Sequence, residues 1–358
     1  PPRPRARMRE ADEHDARSDL QRLLQTGGDA LEAGDPLRYR RDAVAPRVLK
    51  KLAQGQFAAQ DELDLHGAAV AVRIVIELPG ERIVDDAIVG ILRQPPLADA
   101  SCDPDDLRLQ VQARLAKVAP AHDGLLSTAA REALLGQGKR VRPVLAMLAA
   151  AHVGGEPEDA LDYACALEMV HAASLVLDDL PCMDDASLRR GQPTLHRRHG
   201  EDTAVLAAVA LLNQATRLVL QTPAPAETRL AALDLLTQAI GFDGLSEGQM
   251  RDLRDDARDR DETALRQIND LKTGALFVAT VCGGGLLGGG DAQDLARLSD
   301  FGEAIGFAFQ LCDDLLDVCS TVDAVGKDVG QDDDTTTFVD LWGECRTRAA
   351  VRHCPYAM

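Results

Sequence analysis

Apolar residues recur with a helical period along most of the 358-residue chain. From about Asp103 onward they return every three to four positions, which is typical of helices that bury one face. Short breaks of Gly, Pro or Asp separate the periodic segments, so we expect an all-α bundle of seven or more helices. The clearest predicted helices are Leu125–Leu135, Pro143–Val153, Glu158–Leu180, Thr203–Leu220, Thr228–Ile240, Asp261–Cys282 and Asp291–Ser320.

The first hundred residues follow a different pattern. Residues 1–68 are charged and broken by Gly and Pro, with helix-like pieces at Asp19–Leu24 and Arg47–Leu52. Alternating apolar residues then predict a strand that ends at Leu78, a turn at Pro79-Gly80 and a short helix over 85–93. We therefore expect a small mixed or poorly ordered N-terminal segment (1–68), a strand–helix piece with a linker (69–102), a helical domain (103–343) and an atypical, truncated tail (344–358).

Composition narrows the function classes. Aromatic residues make up only 3% of the chain, so Ala, Leu and Val must build the core, which favours helix packing over a β-sandwich. The net charge of -19 argues against a protein that coats nucleic acid or an anionic membrane. Eight cysteines without a CxxC pair, and no secretory leader, predict a cytoplasmic protein. No apolar run approaches 18 residues, so we expect no membrane span.

The first candidate for chemistry is an acidic cluster, DDLPCMDD at residues 178–185. It follows the apolar segment His171 to Leu177, and acids at a helix C-terminus are unfavourable unless cations compensate them. Pro181 cannot continue a regular helix. We therefore expect the chain to turn there and bring Asp184 back toward Asp178.

A second acidic cluster, DDLLD at residues 313–317, lies in another apolar helix, where Asp313 and Asp317 share a face. Such carboxylates repel one another unless a cation lies between them, and carboxylate and phosphate oxygens are the ligands that Mg²⁺ prefers. Basic residues beside both clusters, and three more in GKRVRP (138–143), supply charge for two diphosphate groups. A solvated polar face would explain one such cluster but not two in one bundle.

Five motifs, in this order and spacing, resemble the (E)-polyprenyl diphosphate synthases: GKRVRP, HAASLVLDDLPCMDDASLRRGQPTLH, EGQMRDL, LKTGALF and FQLCDDLLD. Within that family the chain is most similar to bacterial geranylgeranyl diphosphate synthases of carotenoid pathways. The resemblance covers about residues 105–343. It implies an isoprenoid-synthase-type helical bundle, a homodimer, and a prenyltransferase that condenses isopentenyl diphosphate with an allylic diphosphate, farnesyl diphosphate being the expected starter.

The resemblance also implies roles for single residues. Three Mg²⁺ would be bound by Asp178, Asp179, Asp184, Asp313, Asp314 and Asp317. The allylic diphosphate would be held by Arg189, Lys272, Thr273, Gln310 and Lys327. Isopentenyl diphosphate would be held by Lys139, Arg142, His171 and Arg190. Mg²⁺ with Lys272 and Lys327 would assist ionisation of the allylic C–O bond, after which the isopentenyl double bond attacks and a proton is lost to the departing pyrophosphate.

Several features depart from the family pattern. The Gly-Lys-Ser/Thr that usually follows the second cluster is replaced by Asp334-Thr335-Thr336-Thr337, and the tail after Gly343 has no apolar period. Residues 1–68 resemble the start of a Smr domain through RVLKKLAQGQF (47–57) and ELDLHG (62–67), without its Gly-rich later half. GGGLLG (283–288) fits the dinucleotide pattern GxGxxG but follows a helix, so we interpret it as a helix–helix connection.

Other interpretations stay open at this point. The chain could be a farnesyl diphosphate synthase, a catalytically impaired homologue that acts as a partner subunit, or a terpene cyclase or squalene-synthase-like enzyme. GKRVRP argues against the cyclase, which has no isopentenyl site. A Smr-type nucleic-acid-binding protein is disfavoured by the acidic balance and the incomplete Smr pattern.

Product length depends on the residues about one turn before Asp178, along which the prenyl tail is expected to run. Ala173 and Ser174 are small there, whereas short-product relatives have an aromatic floor, so we expect a C20 product. Met169 lies deeper and is expected to close the pocket.

Replacing Ala173 by Tyr should therefore shorten the product, because the ring would fill the space that the last isoprene unit needs. Products made from labelled isopentenyl diphosphate would be resolved by chain length. A mutant that still makes mainly C20 would show that the pocket is assigned to the wrong residues.

Overall fold

In a computed structural model, the protein is described over residues 77–78, 81–82, 103–255, 260–319 and 336–352. The chain divides into two compact units, 1–64 and 65–358, and all described residues belong to the second. The helix-like pieces and Smr-like motifs predicted within 1–68, the helix predicted over 85–93 and the site residue Lys327 lie outside the described residues.

The described part is helical, as the spacing of apolar residues predicts. Its α-helices are α1 (Pro104–Val118), α2 (Leu125–Leu135), α3 (Val141–His152), α4 (Leu161–Asp178), α5 (Leu195–His199), α6 (Glu201–Gln221), α7 (Ala226–Ile240), α8 (Leu245–Arg254), α9 (Glu262–Asn269), α10 (Ala275–Leu287), α11 (Ala292–Cys319), α12 (Phe338–Trp342) and α13 (Glu344–Arg352). A 3₁₀ turn, Pro157–Ala160, precedes α4, and a π-helical turn, Asp270–Gly274, joins α9 to α10.

Two short antiparallel ribbons complete the described structure. Strand β1 (Glu77–Leu78) pairs with β2 (Glu81–Arg82) on either side of the turn predicted at 79–80. Strand β3 (Leu188–Arg189) pairs with β4 (Gln192–Pro193) directly after the first acidic cluster. The second ribbon was not predicted, because two-residue strands leave no alternation of apolar and polar residues.

Helix α4 is the centre of the bundle. Its buried residues occur on all sides, because α1, α2, α3, α6, α7 and α10 pack around it. A helix that is apolar all round is expected to be buried on all sides, and this is how α4 carries its C-terminal acids into the interior. Small core residues, such as Ala164, Ala172 and Ala207, let the neighbouring helices approach α4 closely.

The glycine run from Gly283 to Gly288 lies largely within α10, so its interpretation as a helix–helix connection was wrong. These glycines serve close packing. A Cβ on Gly283 would lie 2.2 Å from Cζ of Tyr163, and a Cβ on Gly284 would lie 2.1 Å from the carbonyl oxygen of Ala146 on α3. Tyr163 is fully buried, and its hydroxyl donates to the carbonyl of Ala279 at 2.8 Å, which holds α4 against α10.

The described part of the expected atypical tail, residues 344–352, is helical. Helix α13 packs against α11 and buries Thr347 and Val351, which are four residues apart and share one face. One of these two inward residues is polar, so the sequence shows no clear apolar period. Helix α12, just before it, begins with a capping box in which Thr337 and Asp340 each accept from the other's backbone N–H.

Within the described part of the chain, three helical stretches are long and apolar enough to cross a membrane, judged by length and composition alone: Pro157–Asp178, Glu201–Gln221 and Glu262–Leu287. The prediction of no membrane span rested on the absence of an unbroken run of 18 apolar residues, and this criterion was too strict. Within the fold, 67%, 44% and 56% of their most apolar windows are buried, so much of this surface is used for packing between helices.

Replacing Gly283 by Ala should destabilise the protein by about 2 kcal/mol, because the new methyl group overlaps a buried tyrosine ring and the gain in helix propensity offsets only part of that cost. Thermal unfolding would measure the change. Gly274→Ala is the matched control, since a Cβ there meets nothing closer than 3.7 Å. Equal stability of Gly283→Ala and the parent protein would contradict the packing described for α4 and α10.

Candidate active site

The first acidic cluster begins where α4 ends. Asp178 is the last residue of the helix, and the chain turns over Leu180 and Pro181 so that the backbone N–H of Asp184 donates to the carbonyl of Asp178 at 2.9 Å. This return was predicted from Pro181. It brings the carboxylates of Asp178, Asp179 and Asp184 near enough to influence one another's protonation.

A tight ribbon holds an arginine against this cluster. Arg190 and Gly191 connect β3 to β4, and both have positive φ, 53° and 74°. Two such residues are what a two-residue hairpin turn with the right twist requires. Arg189 therefore lies beside Asp179, and its Nε and Nη2 donate to Oδ1 of that residue at 2.9 and 2.5 Å.

The π-helical turn between α9 and α10 supplies a lysine to the same place. Lys272 lies close to Asp178 and Asp184, and its Nζ forms an ion pair of 2.5 Å with Asp252 on α8. Burial opposes the charge of Lys272, but these three carboxylates outweigh it and raise its pKa above the usual value. Single π-turns are rare and frequently occur at functional sites.

The residue after this lysine is linked to the second acidic cluster. The Thr273 hydroxyl lies 3.3 Å from Oε1 of Gln310 on α11, and Nε2 of Gln310 donates to Oδ1 of Asp314 at 2.8 Å. The other oxygen of Asp314 accepts the backbone N–H of Phe338, at the start of α12, at 2.9 Å. Of two consecutive residues in this turn, Lys272 thus lies close to the first cluster, and Thr273 is linked through Gln310 to the second.

Two acids in the clusters are markedly less acidic than usual. Burial raises the pKa of Asp178 to about 6, although Lys272 lowers it in part. Burial likewise raises the pKa of Asp314 to about 6 against the opposing effect of its two hydrogen bonds. Burial also raises the pKa of Asp179 and Asp184. The protein's own cations therefore compensate the clusters incompletely.

A cation-rich group lies around His171 on α4. Burial, together with the nearby guanidinium groups of Arg142, Arg190, Arg189 and Arg140, lowers the pKa of His171 well below its usual value. The imidazole is therefore neutral at pH 7. Arg190 donates to the carbonyl of Gln137, so the ribbon β3–β4 and the GKRVRP segment meet at this point.

The three cations of GKRVRP have different environments. Arg140 is buried and committed to the fold, because it pairs with Glu168 and donates to the carbonyls of Leu134 and Gly136. Arg142 lies over the ring of Phe277, 4.4 Å from its centroid, and burial lowers its pKa to about 10. Lys139 lies just before Arg140 and interacts with another residue.

The residues proposed to set product length lie inside the bundle. Ala173 and Met169 are fully buried on α4, and Ser174, which is half-buried, donates to the carbonyl of His171 at 3.0 Å. A prenyl tail that follows these residues would therefore be surrounded by protein.

Sequence patterns did not single out two residues near the clusters. Asp252 and Arg260 pair with each other at 2.8 Å, and Asp252 also contacts Lys272, which lies twenty residues further along the chain. EGQMRDL contains Asp252, but nothing in its spacing indicates the lysine as its partner.

The acidic clusters supply oxygen ligands that suit Mg²⁺, although they do not form a complete metal site by themselves. Among the described residues, no three His, Cys, Asp or Glu side chains form a ready-made metal cluster. The donors are all carboxylate oxygens, and burial raises the pKa of Asp178 and Asp314 more than their cationic and hydrogen-bonding neighbours lower it. Mg²⁺ is usually bound by one or two carboxylates together with substrate phosphates rather than by an all-protein cage. The arrangement therefore suits metal ions that a diphosphate shares.

Asp178→Asn should stabilise the metal-free protein at pH 7.5 by about 1–2 kcal/mol, because it removes a poorly compensated charge. The pKa is near 4 in an unfolded chain and about 6 in the folded one, so the folded state binds more protons between these values. The free energy of unfolding thus falls as pH rises through this window, and the gain from the mutation should vanish below about pH 4.

Thermal unfolding at both pH values, with chelator present, measures this difference. Asp185→Asn is the control, because the side chain of Asp185 is 63% exposed in the same loop. A destabilised Asp178→Asn protein at pH 7.5 would contradict the assigned charge balance.

A family model described as Polyprenyl synthetase matches residues 123–339. The chain is 41% identical over 251 residues to a geranylgeranyl diphosphate synthase of Pseudescherichia vulneris, which is 69% of this chain and 81% of the relative. It is also 41% identical over 246 residues to a geranylgeranyl diphosphate synthase of Pantoea ananas, which is 67% of this chain and 80% of the relative.

Solved structures agree with this match. A geranyltransferase from Helicobacter pylori, complexed with magnesium and isoprenyl diphosphate, superposes with a TM-score of 0.66 at 27% identity, over 72% of this chain and 88% of that one. An FPP/GFPP synthase from Zymomonas mobilis superposes with a TM-score of 0.63 at 30% identity, over 70% and 87%. The family model spans more than half of the chain, including both acidic clusters, and this chain belongs to the polyprenyl synthetase family.

Proposed function

We propose that this protein is a geranylgeranyl diphosphate synthase that joins isopentenyl diphosphate to an allylic diphosphate, farnesyl diphosphate being the expected starter. The observation that carries the proposal is the π-turn Asp270–Gly274, in which Lys272 lies close to the first acidic cluster and Thr273 is linked through Gln310 to the second. Such an arrangement suits one diphosphate held between two acidic clusters. The names of the two bacterial relatives support the C20 product.

Three Mg²⁺ per site are proposed, and when bound they supply the charge that neutralises the leaving pyrophosphate. Their proposed ligands are Asp178, Asp179, Asp184, Asp313 and Asp317. Only Oδ1 of Asp179 is used by Arg189, which leaves Oδ2 for a metal. Asp314 is proposed as a further ligand, because each of its oxygens accepts one hydrogen bond within the protein and keeps a lone pair for a metal.

The protein's own cations are proposed to complete the allylic site. Arg189 and Lys272 would bind diphosphate oxygens beside the first cluster, and Thr273 and Gln310 would orient the diphosphate from the other side. Lys327, which lies outside the described residues, is proposed to add a further charge. Positive charge fixed around the leaving group lowers the barrier to breaking the C–O bond, because the cations need no reorganisation as negative charge develops.

The cation-rich group around His171 is proposed to bind isopentenyl diphosphate through Lys139, Arg142, His171 and Arg190. Burial, together with repulsion from nearby guanidinium groups such as those of Arg142 and Arg190, lowers the pKa of His171 and disfavours charge on it. A bound diphosphate would relieve that repulsion. Arg142, which lies over the ring of Phe277 with the ring of Phe309 also near it, would be held in place for this role.

A C20 product is consistent with small residues on the helix that the tail would follow. Ala173 and Ser174 are proposed to leave room for the tail close to Asp178, and Met169 is proposed to limit its length further along α4. A farnesyl diphosphate synthase is the second candidate, because the Zymomonas mobilis neighbour is titled an FPP/GFPP synthase. The sequence relatives favour the longer product.

We also propose that the enzyme is a homodimer. Helix α6 presents a face with four exposed apolar residues, Val205, Leu206, Val209 and Leu220. Exposed apolar surface of this kind typically marks an interaction site. Sedimentation equilibrium at micromolar concentration tests this, and a monomer would contradict it.

A cytoplasmic location is proposed because the described cysteines are free thiols, two of them exposed. The resemblance to carotenoid-pathway enzymes leads us to propose that the C20 product serves carotenoid synthesis. Cell fractionation and pigment loss on deletion test these two points, and a membrane-bound protein or unchanged pigment would contradict them.

The deciding experiment is an assay with Mg²⁺, farnesyl diphosphate and labelled isopentenyl diphosphate. We expect a C20 diphosphate as the main product and no product with chelator present. Folded protein that makes no product would support the impaired homologue, and products that end at C15 from shorter starters would support a farnesyl diphosphate synthase.

The same assay can test the domain assignment. We propose that residues 103–343 carry the activity, and that the Smr-like segment is a fragment without activity of its own. A chain that begins at residue 103 should keep the C20 activity, and its loss would contradict the assignment.

A further inference from the structure

Two ion pairs meet at Asp252 beside the proposed allylic site. Its Oδ2 accepts a hydrogen bond from Nζ of Lys272 at 2.5 Å, and its Oδ1 accepts one from Nη1 of Arg260 at 2.8 Å. Nη2 of Arg260 donates to the carbonyl oxygen of the same aspartate at 2.6 Å. Each oxygen of the Asp252 carboxylate therefore pairs with a different cation, so that the aspartate links Arg260 to Lys272.

Arg260 is fixed by its surroundings. Its side chain is only 2% exposed, and the two hydrogen bonds to one residue use both terminal nitrogens of the guanidinium group. A buried guanidinium held at two points has little rotational freedom. Arg260 thus sets the orientation of the Asp252 carboxylate rather than merely balancing its charge.

The backbone beneath Lys272 is equally constrained. Gly248 on α8 packs against the π-turn so closely that a Cβ there would lie 2.3 Å from the backbone nitrogen of Lys272. Asp252 is one helical turn after Gly248 and so faces the same turn. Helix α8 therefore contacts both the backbone and the side-chain amine of Lys272.

The amine of Lys272 can bind more than Asp252. An ammonium group has three N–H donors, and Asp252 uses one of them. The others are available for diphosphate oxygens or for the nearby carboxylates of the first cluster. A lysine side chain has four rotatable bonds, so holding the amine at a fixed point removes much of the entropy cost of binding an anion there.

We propose that Asp252, held by Arg260, is a positioning residue that aims Lys272 at the allylic diphosphate. The inference rests on the proposed function of Lys272. It makes a prediction opposite in sign to the simplest electrostatic expectation. An acid beside an anion site repels the anion, so its removal would tighten binding; loss of a positioning residue would weaken binding.

Calorimetric titration with inorganic pyrophosphate in the presence of Mg²⁺ distinguishes the two. For Asp252→Asn we expect affinity to fall about tenfold, the size expected for the loss of a charge-assisted hydrogen bond. In the C20 assay we expect a higher KM for the allylic substrate together with a lower kcat. Unchanged or tighter pyrophosphate binding would overturn the proposal.

A double-mutant cycle shows whether Asp252 acts through Lys272. In a Lys272→Ala background, Asp252→Asn should change pyrophosphate affinity less than twofold, because no amine remains to be aimed. A full tenfold loss in that background would refute the positioning role. Arg260→Met should weaken binding as Asp252→Asn does, and Arg260→Lys should restore part of the loss.

Glu247→Gln is the matched control, since Glu247 is a partly exposed acid on the same helix that pairs only with Arg251 in the described residues. It should leave affinity and activity unchanged. Circular dichroism of each variant shows whether it folds, and Asp252→Glu replaces Asp252→Asn if that protein does not. Pyrophosphate binding by a parent protein that makes no C20 product would separate failure of the proposed function from failure of this inference.

Discussion

The site depends on carboxylates that the fold gathers, partly buried, at the end of a buried helix. Asp178 ends α4, which the rest of the bundle surrounds, and the turn through Pro181 brings Asp184 back beside it. Burial disfavours their charge, and the negative end of the helix dipole adds to that effect. Cations must compensate, and Arg189 and Lys272 do so only in part. The remaining deficit is what a metal ion would supply.

The π-turn at 270–274 links the first acidic cluster to the second. One residue of the turn, Lys272, lies close to the acids at the end of α4, and the next, Thr273, is linked through Gln310 to Asp314 on α11. Asp314 then accepts the first N–H of α12, so the C-terminal helices are tied to the same network. A displacement of α12 would therefore disturb the hydrogen bonds of Asp314, including the one from Gln310.

Much of this could be predicted from the sequence, for reasons that are local. The apolar period of α4, the proline after its acids and the spacing of DDLLD are properties of neighbouring residues. They predicted a helical bundle and the return of the chain at Asp184. The family resemblance supplied roles for distant residues such as His171, and those roles remain proposals.

The remaining features depend on contacts that sequence spacing does not encode. The partner of Lys272 is Asp252, twenty residues away, and Arg140 proved to be a buried structural cation although it stands between Lys139 and Arg142. The glycines at 283–288 fit a dinucleotide pattern, but the structure requires them because Tyr163 and α3 leave no space for side chains at these positions of α10. A helix of nine residues at 344–352 buries Thr347 and Val351, a stripe too short to show a period.

The central claim is that two acidic clusters share a metal-bound diphosphate around the π-turn. A crystal structure with Mn²⁺ and inorganic pyrophosphate, with the ions located by anomalous scattering, tests it most directly. We predict Mn²⁺ between the pyrophosphate and Asp178 and Asp184, further Mn²⁺ at Asp313 and Asp317, and Lys272 bonded to the pyrophosphate. Pyrophosphate bound without metal at either cluster, or metal bound away from both, would contradict the claim.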